Sequence, residues 1–196
     1  MNKLFIASSN AHKISEINTI LEQNGIYLEL VCPKDFDCKE EPCENGKTFK
    51  ENSEIKALFY YNLYHLPTLA DDSGICIDYF NGLPGIYSAR FFGDIDYKTK
   101  NDIVLKMMEN TDNRAAQFVA DICYADESGN VHHYEGINPG LISHVQKGTD
   151  GFGYDPIFLI EEYGMTEAEL GETYKNEYSH RAVAMKKWIE DVRKEF

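Results

Sequence analysis

Short strand-like runs alternate with capped helical segments along the chain, and this alternation constrains the fold more than any other feature. Residues 3–7, with an apolar run at 4–7, are typical of a short buried strand. Residues 8–10, Ser-Ser-Asn, then supply capping groups for a helix with a stripe of isoleucine and leucine at residues 14–21. A strand, a loop and a helix at the start of the chain favour an α/β protein.

The rest of the chain continues the alternation. Thr48 and Glu51 match a capping box and predict a helix to about residue 61. A short strand is predicted at 68–70, then a polar segment at 71–74, then a second strand at 75–80 that ends at an Asn-Gly turn. Alternating apolar residues at 116–124 and a run at 131–137 predict a long hairpin.

Two further helices are predicted near the end of the chain, one capped at Thr166 and one capped at Ser179. No repeat, low-complexity segment or linker interrupts the sequence. We therefore expect a single domain over residues 1–196, with a long central mixed β-sheet flanked by helices.

Charge limits the classes of partner. The chain has 19 Lys and Arg against 33 Asp and Glu, a formal net charge of −14. This balance disfavours nucleic acid and anionic membranes as partners. No stretch reaches the roughly 18 apolar residues of a membrane-spanning helix. An anionic substrate would need locally placed cations or a metal.

The cysteines bear on the cellular compartment. Their number is odd, they contain no C-x-x-C pair, and no histidine stands at zinc-finger spacing from Cys32, Cys38, Cys43, Cys76 or Cys123. This pattern favours a reducing compartment. The first apolar run is too short for a signal-peptide core. A cytoplasmic protein is expected.

The first candidate site is the loop at residues 8–13, Ser-Ser-Asn-Ala-His-Lys. Free N–H groups at a helix start favour an anion, and Lys13 would add a positive charge there. An ordinary helix cap with a solvated lysine remains the alternative. The G-x-x-x-x-G-K-[ST] phosphate-binding pattern is absent from the sequence.

The second candidate is the pair Asp71 and Asp72, followed by Ser73 and Gly74. Adjacent carboxylates repel each other, and Mg²⁺ commonly binds one or two carboxylates together with substrate phosphates. An acidic turn is the alternative. The acidic segment at residues 40–44 could add a further ligand, or could simply be solvated.

The third and fourth candidates lie near the end of the chain. Residues 151–156, Gly-Phe-Gly-Tyr-Asp-Pro, combine flexible glycines, two aromatic rings and a carboxylate, a set that can stack on a base and bond its edge. Lys175 and residues 179–181, Ser-His-Arg, offer donors for an anion or a carbonyl. Taken singly, such surface residues are most often solvated, and a turn before a strand at 157–160 would explain the glycines.

Taken in order, these stretches resemble the inosine triphosphate pyrophosphatase family. The resemblance spans nearly the whole chain. It rests on S-S-N-A-H-K at 8–13, G-K-T-F-K-E-N at 46–52 with Lys56, A-D-D-S-G at 70–74, G-L-P-G-I-Y-S-A-R at 82–90, G-F-G-Y-D-P at 151–156, Lys175 and S-H-R at 179–181. Several motifs in a fixed order are more specific than any one of them.

The resemblance implies a fold and an activity. The fold is an elongated α/β structure with a long mixed sheet and two lobes around a central nucleotide cleft, usually in a homodimer. The activity is magnesium-dependent hydrolysis of non-standard purine nucleoside triphosphates (ITP, dITP, XTP) to the monophosphate and pyrophosphate, which cleanses the nucleotide pool.

The resemblance also implies roles for individual residues. Asp72 corresponds to the proton acceptor and to a Mg²⁺ ligand, and Ser73 contacts substrate. The triphosphate site comprises Ser8, Ser9, Asn10, Ala11, His12, Lys13 and Lys175. The base site comprises Phe152, Gly153, Tyr154, Asp155, His180 and Arg181.

The sequence departs from the family pattern at two places. Residues 8 and 9 are Ser-Ser where the family commonly has Thr-Gly. Cys43 stands where many relatives have the first of two glutamates, so either Glu44 or Glu41 could be the second metal ligand. A nucleotide-binding sensor without turnover is the alternative function, and a nucleotide kinase or an ordinary phosphatase is a weaker one. The sequence leaves open how GTP is rejected.

Overall fold

The computed structural model describes residues 3–36 and 40–193 and confirms the predicted α/β architecture. In these ranges the strands are β1 (Lys3–Ile6), β2 (Glu29–Val31), β3 (Thr68–Ile77), β4 (Ala115–Ala125), β5 (Val131–Ile142), β6 (Phe158–Ile160) and β7 (Met165–Thr166). The helices are α1 (Ala11–Gln23), α2 (Phe49–Tyr64), α3 (Tyr97–Met107), α4 (Glu167–Tyr178) and α5 (His180–Val192). Cys38 lies outside the described residues.

The seven strands form one mixed sheet in the order β2-β1-β3-β4-β5-β6-β7. β1 is parallel to both of its neighbours: Phe5 pairs with Val31 of β2 and with Thr68 of β3. Parallel neighbours need crossover connections, and α1 and α2 supply them. β6 is antiparallel to β5 and β7. The neighbours β4 and β5 are joined by residues 126–130, so the predicted hairpin is confirmed.

The expectation of a short strand at 68–70, separated from a second strand by a polar segment at 71–74, is wrong. β3 continues from Thr68 to Ile77 and contains Asp71 and Asp72, which are 3% and 8% exposed. A strand tolerates buried carboxylates when cations pair with them, and Lys13, Arg181 and Lys56 do so here.

Gly74 lets β3 lie close to the segment at residues 85–88. A Cβ atom at Gly74 would lie 2.3 Å from the Oγ of Ser88, so only glycine leaves room for that side chain. The Ser88 hydroxyl uses the space to accept a hydrogen bond from the N–H of Ile75 at 3.0 Å. The chain at 85–88 is thereby tied to β3.

The described residues group into two compact units, and the first contains the chain up to Asp72, Ala120–Gly136 and the chain from Arg181. Successive β1 residues alternate between two apolar cores in this unit. Leu4 packs in a cluster with α1 and α5, whereas Phe5 packs in a cluster with α2. The sheet of this unit is therefore covered by helices on both faces.

The second unit contains Ser73–Val119 and Ile137–His180. Its apolar core includes Val104 of α3, Phe118 of β4 and Phe158 of β6, and the two phenylalanine rings meet edge to face at 4.5 Å. The predicted single domain over residues 1–196 stays a prediction.

Local capping signals near the end of the chain are confirmed. Thr166 and Glu169 form a complete capping box at the start of α4. Gly171 interrupts this helix with a φ of 74°, a conformation that favours glycine. Ser179 separates α4 from α5, where the final helix was predicted to begin. Among the described helices, none has the length and apolar character needed to span a membrane.

Trp188 offers a test of the apolar cluster that Leu4 forms with α1 and α5. It is 1% exposed and meets Tyr124 edge to face at 5.6 Å, and within the described part of the chain its Nε1 has no hydrogen-bond partner. We expect Trp188→Ala to lower the free energy of unfolding by about 3 to 5 kcal/mol, because it opens a large cavity. Trp188→Phe should cost much less, because it keeps most apolar contacts and removes a buried N–H. Urea unfolding followed by circular dichroism measures both, and equal losses would contradict this account.

Candidate active site

The first candidate loop connects β1 to α1. Asn10 caps the helix: its Oδ1 accepts hydrogen bonds from the N–H of His12 at 2.9 Å and of Lys13 at 3.4 Å. The Oγ of Ser8 accepts from the N–H of Asn10 at 3.1 Å. Residues 9–12 are exposed. The start of α1 is therefore accessible to an anion, which the helix dipole favours.

Asp71 of β3 is the centre of a buried ion-pair network. Its Oδ2 lies 3.0 Å from the Nζ of Lys13 and 2.9 Å from the guanidinium of Arg181, which also pairs with Glu16. Burial alone would raise the pKa of Asp71, but Arg181 and Lys13 outweigh burial and hold this pKa well below its usual range. Asp71 therefore stays ionised and fixes the side chains of Lys13 and Arg181.

Asp72, the next residue of β3, shares Lys56 of α2 with Glu44. The Nζ of Lys56 lies 3.1 Å from the Oδ1 of Asp72 and 3.0 Å from the Oε2 of Glu44. Burial raises the pKa of Asp72 above its ordinary value, although the nearby lysines oppose this shift. A carboxylate with a raised pKa is a better proton acceptor, so Asp72 is suited to act as a general base.

The start of α2 holds the acidic segment next to Lys56. Thr48 caps the helix by accepting a hydrogen bond from the N–H of Glu51 at 3.1 Å. The N–H of Gly46 donates to the Oδ1 of Asn52 at 2.9 Å, and a Cβ atom at Gly46 would lie only 2.6 Å from that oxygen. Gly46 therefore permits a close approach to α2, which brings the side chain of Glu44 to Lys56.

Asp72 and Glu44 are suitable ligands for a hard divalent cation. In the part of the chain that the structure describes, the buried Oδ2 of Asp72 has no hydrogen-bond partner. Glu44 is exposed and reaches the same ammonium group as Asp72, whereas Glu41 makes no hydrogen bond or ion pair with any described residue. Within residues 3–36 and 40–193, no group of three or more His, Cys, Asp or Glu could hold a metal. Two carboxylates are nevertheless enough where substrate phosphates complete the shell, as is usual for Mg²⁺.

In the second unit, the loop at residues 151–155 brings together an aromatic ring, a carboxylate and a lysine. The Oδ2 of Asp155 accepts hydrogen bonds at 2.8 Å from both the N–H of Phe152 and the Nζ of Lys175. The Lys175 ammonium also lies 4.5 Å from the centre of the Phe152 ring. Gly151 has a φ of +77°, and a Cβ atom there would lie 2.2 Å from the Asp155 carboxylate, so this turn requires glycine.

Four of the predicted base-site residues are buried rather than exposed on the surface: Tyr154, Asp155, His180 and Arg181. Tyr154 is 2% exposed, and its hydroxyl donates to the carbonyl of Ser88 at 3.0 Å. His180 is 5% exposed and stacks on Phe118 at 4.8 Å between ring centres. Ser73 is half-buried on β3, next to Asp72 in the chain. Tyr154 therefore anchors its loop, and Phe152 is the more accessible of the two rings.

The structure thus gathers the predicted residues into two groups. Lys13, Asp72, Arg181 and Glu44 belong to the first unit, and Phe152, Gly153, Tyr154, Asp155, Lys175 and His180 belong to the second. The assignments of Lys175 to the triphosphate and of Arg181 to the base stay predictions. Sequence reasoning gave no role to Glu16, although its spacing of three residues from Lys13 places both on one face of α1.

Comparison with known proteins finds relatives that match nearly the whole chain. A sequence profile of the Ham1 family matches residues 4–191. The dITP/XTP pyrophosphatase of Aquifex aeolicus is 40% identical over 95% of both chains, and that of Acholeplasma laidlawii is 42% identical over 95% of this chain and 92% of its own.

Solved structures of Ham1 proteins also match nearly the whole chain. The Ham1 protein of Staphylococcus aureus is 30% identical and matches all of both chains with a TM-score of 0.89. A HAM1 protein from Coxiella burnetii is 31% identical and matches 99% of this chain and 100% of its own, also with a TM-score of 0.89. With a profile match over nearly its full length and relatives at about 40% identity, the chain belongs to the Ham1 family.

Proposed function

We propose that this protein hydrolyses non-standard purine nucleoside triphosphates (ITP, dITP and XTP) to the nucleoside monophosphate and pyrophosphate. Relatives named dITP/XTP pyrophosphatase support this reaction. The proposal rests mainly on one observation: Asp72 is a buried carboxylate, and burial raises its pKa. One of its oxygens bonds Lys56, and the other has no partner in the described residues.

The chemistry assigns a proton transfer to Asp72. A water oxygen forms a bond to the α-phosphorus while Asp72 accepts the proton that this water loses. The bond between the α-phosphorus and the oxygen that bridges to the β-phosphate breaks, and its electron pair leaves with pyrophosphate. Lys13 and the start of α1 offer positive charge to the phosphates.

Magnesium is part of the same proposal, with Asp72 and Glu44 as its protein ligands. When bound, Mg²⁺ supplies positive charge for the phosphates and acidifies a water molecule, which a carboxylate can then deprotonate more easily. Lys56 holds both carboxylates in the first unit, so their positions are set by the protein itself.

We assign base recognition to the loop at 151–155 together with His180. Phe152 stacks on the purine, and the donors favour the 6-oxo group of hypoxanthine and xanthine over the 6-amino group of adenine. A homodimer and a cytoplasmic location complete the proposal. The homodimer rests on the family, and the location rests on the cysteine pattern, in which Cys32, Cys43, Cys76 and Cys123 are free thiols.

The products decide between this proposal and its alternatives. ITP is incubated with the protein and Mg²⁺, and orthophosphate is measured with and without added inorganic pyrophosphatase. Orthophosphate that appears only with the added enzyme identifies pyrophosphate as the product. Direct release of orthophosphate would indicate a phosphatase, and binding without any product would indicate a sensor.

Asp72→Asn tests the general base. We expect kcat for ITP to fall by about 10² to 10⁴-fold, because an amide cannot accept the proton. Asp78→Asn, the same change at an exposed residue just after β3, is the matched control and should leave kcat unchanged. Single-turnover hydrolysis by Asp72→Asn within a few-fold of the parent would show that another group acts as the base.

Glu44→Gln and Glu41→Gln test the second metal ligand. Only Glu44 pairs with the lysine that also holds Asp72, so we expect Glu44→Gln to raise the Mg²⁺ concentration for half-maximal rate and Glu41→Gln to leave it unchanged. Rates are measured over a Mg²⁺ titration at saturating ITP. The reverse order of effects would move the ligand to Glu41.

Phe152→Ala tests the stacking assignment. Loss of a base–aromatic contact should weaken binding by about 1 to 3 kcal/mol. Every purine has a π-face, so we expect KM for ITP, XTP and ATP to rise by similar factors. Exposed Phe36→Ala in the first unit is the control. A rise confined to one purine would instead assign base selection to Phe152.

A further inference from the structure

Asn101 of α3 reaches the loop at residues 151–155 from within the second unit. Its side chain is buried, with the residue only 1% exposed. The Nδ2 of Asn101 donates a hydrogen bond at 3.1 Å to the carbonyl of Gly153, in the centre of that loop. Neither the sequence motifs nor the proposed chemistry gives this residue a role.

The surrounding hydrogen bonds determine the orientation of the amide. The Nε2 of Gln146 donates to the carbonyl of Lys98 at 3.0 Å and to the carboxylate of Asp102 at 2.7 Å, and both of these groups can only accept. The Oε1 of Gln146 must therefore face Asn101, at 3.4 Å. The Gly153 carbonyl also only accepts, so both neighbours require the amide nitrogen of Asn101 as donor.

A second contact from the same helix reinforces the first. Tyr97 lies four residues before Asn101, on the same face of α3, and its ring meets Tyr154 edge to face at 5.5 Å. The helix is itself fixed, since Asp96 caps it and the Nζ of Lys100 donates to the carbonyl of Ala89 at 2.7 Å. Helix α3 is therefore a firm support for the loop.

The loop needs such a support. Gly151 and Gly153 have φ values of +77° and +69°, and glycine gives a chain more conformational freedom than any other residue. The hydrogen bond from Asn101 holds the carbonyl of Gly153, which lies between Phe152 and Asp155 in the sequence. Without it, both side chains would sample more positions.

We propose that Asn101 is a positioning residue that fixes the loop at 151–155 for purine binding. This inference rests on the proposed function, in which Phe152 stacks on the base. Asn101 does not touch substrate in this proposal; it acts through the Gly153 carbonyl. Its loss should therefore weaken interactions with the base more than interactions with the phosphates.

The test uses Asn101→Ala, which removes the donor, and Asn101→Asp, which is nearly isosteric but presents an acceptor to the Gly153 carbonyl. We expect KM for ITP to rise about 3- to 10-fold in Asn101→Ala, the loss of one neutral hydrogen bond, with kcat little changed. The inhibition constant of inorganic tripolyphosphate, which has no base, should rise less than KM for ITP. If the buried charge of Asn101→Asp prevents folding, Asn101→Ala decides alone.

A control variant separates this bond from other effects. Asn110→Asp makes the same chemical change at an exposed residue after α3 that bonds only Glu109 among the described residues. It should keep the parent KM for ITP.

Hydrogen–deuterium exchange provides a readout that does not depend on activity. Peptides that cover residues 151–155 should exchange faster in Asn101→Ala than in the parent, while peptides from α5 stay unchanged. If the parent hydrolyses no ITP, the proposed function fails and exchange alone decides the positioning role. Unchanged exchange in the loop would overturn the inference, and so would a rise in the tripolyphosphate inhibition constant that matches the rise in KM.

Discussion

The first unit depends on how two adjacent carboxylates are neutralised in the middle of a strand. Asp71 and Asp72 are both buried, and an unpaired buried charge is very costly. Successive residues of a strand point to opposite faces of its sheet, so the two side chains find different partners.

Asp71 shares the face of Leu69, which packs with α1 and α5, and it pairs with Lys13 and Arg181 of those helices. Asp72 shares the face of Ala70, which packs with α2, and it pairs with Lys56 of that helix. One dipeptide thus attaches three helices to the sheet.

The same geometry separates the roles of the two carboxylates. Asp71 has two cations within 3.0 Å, and their attraction outweighs burial, so its pKa is strongly lowered. Asp72 has one lysine, which it shares with Glu44, and burial prevails and raises its pKa. A carboxylate held firmly ionised between two cations is a poor proton acceptor, whereas one with a raised pKa and an oxygen free of partners among the described residues is a good one. The electrostatics therefore favour Asp72 over Asp71 for the proposed proton transfer, and the ion pairs of Asp71 give it a structural task.

Local chemistry made much of this fold predictable, and distant contacts explain what was missed. The caps at Thr48 and Thr166 lie within three residues of the groups they bond, and both were identified from the sequence. The sequence did not predict that β3 continues through Asp71 and Asp72. The cations that pair with these two carboxylates come from residues 13, 56 and 181, far away in the sequence. Helix α3 was also missed, although Asp96 is a standard cap, because few apolar residues mark its buried face. The proposed role of Asn101 in fixing the loop at 151–155 depends on that helix and could not be inferred without it.

The balance of charge in the first unit bears on how an acidic protein could bind a polyphosphate. The cations of the cluster, Lys13, Lys56 and Arg181, are already paired with four carboxylates, those of Glu16, Glu44, Asp71 and Asp72. Three positive and four negative charges leave this cluster with one net negative charge.

In the second unit, Lys175 is likewise paired with Asp155. The lysines can orient phosphate oxygens, but in these pairs their charge is already largely compensated, so they attract a triphosphate less than isolated lysines would. The proposed divalent cation on the Asp72 and Glu44 oxygens would change this balance, because its two positive charges would make the cluster net positive. The proposed dependence on magnesium is therefore consistent with the ion pairs that stabilise the fold.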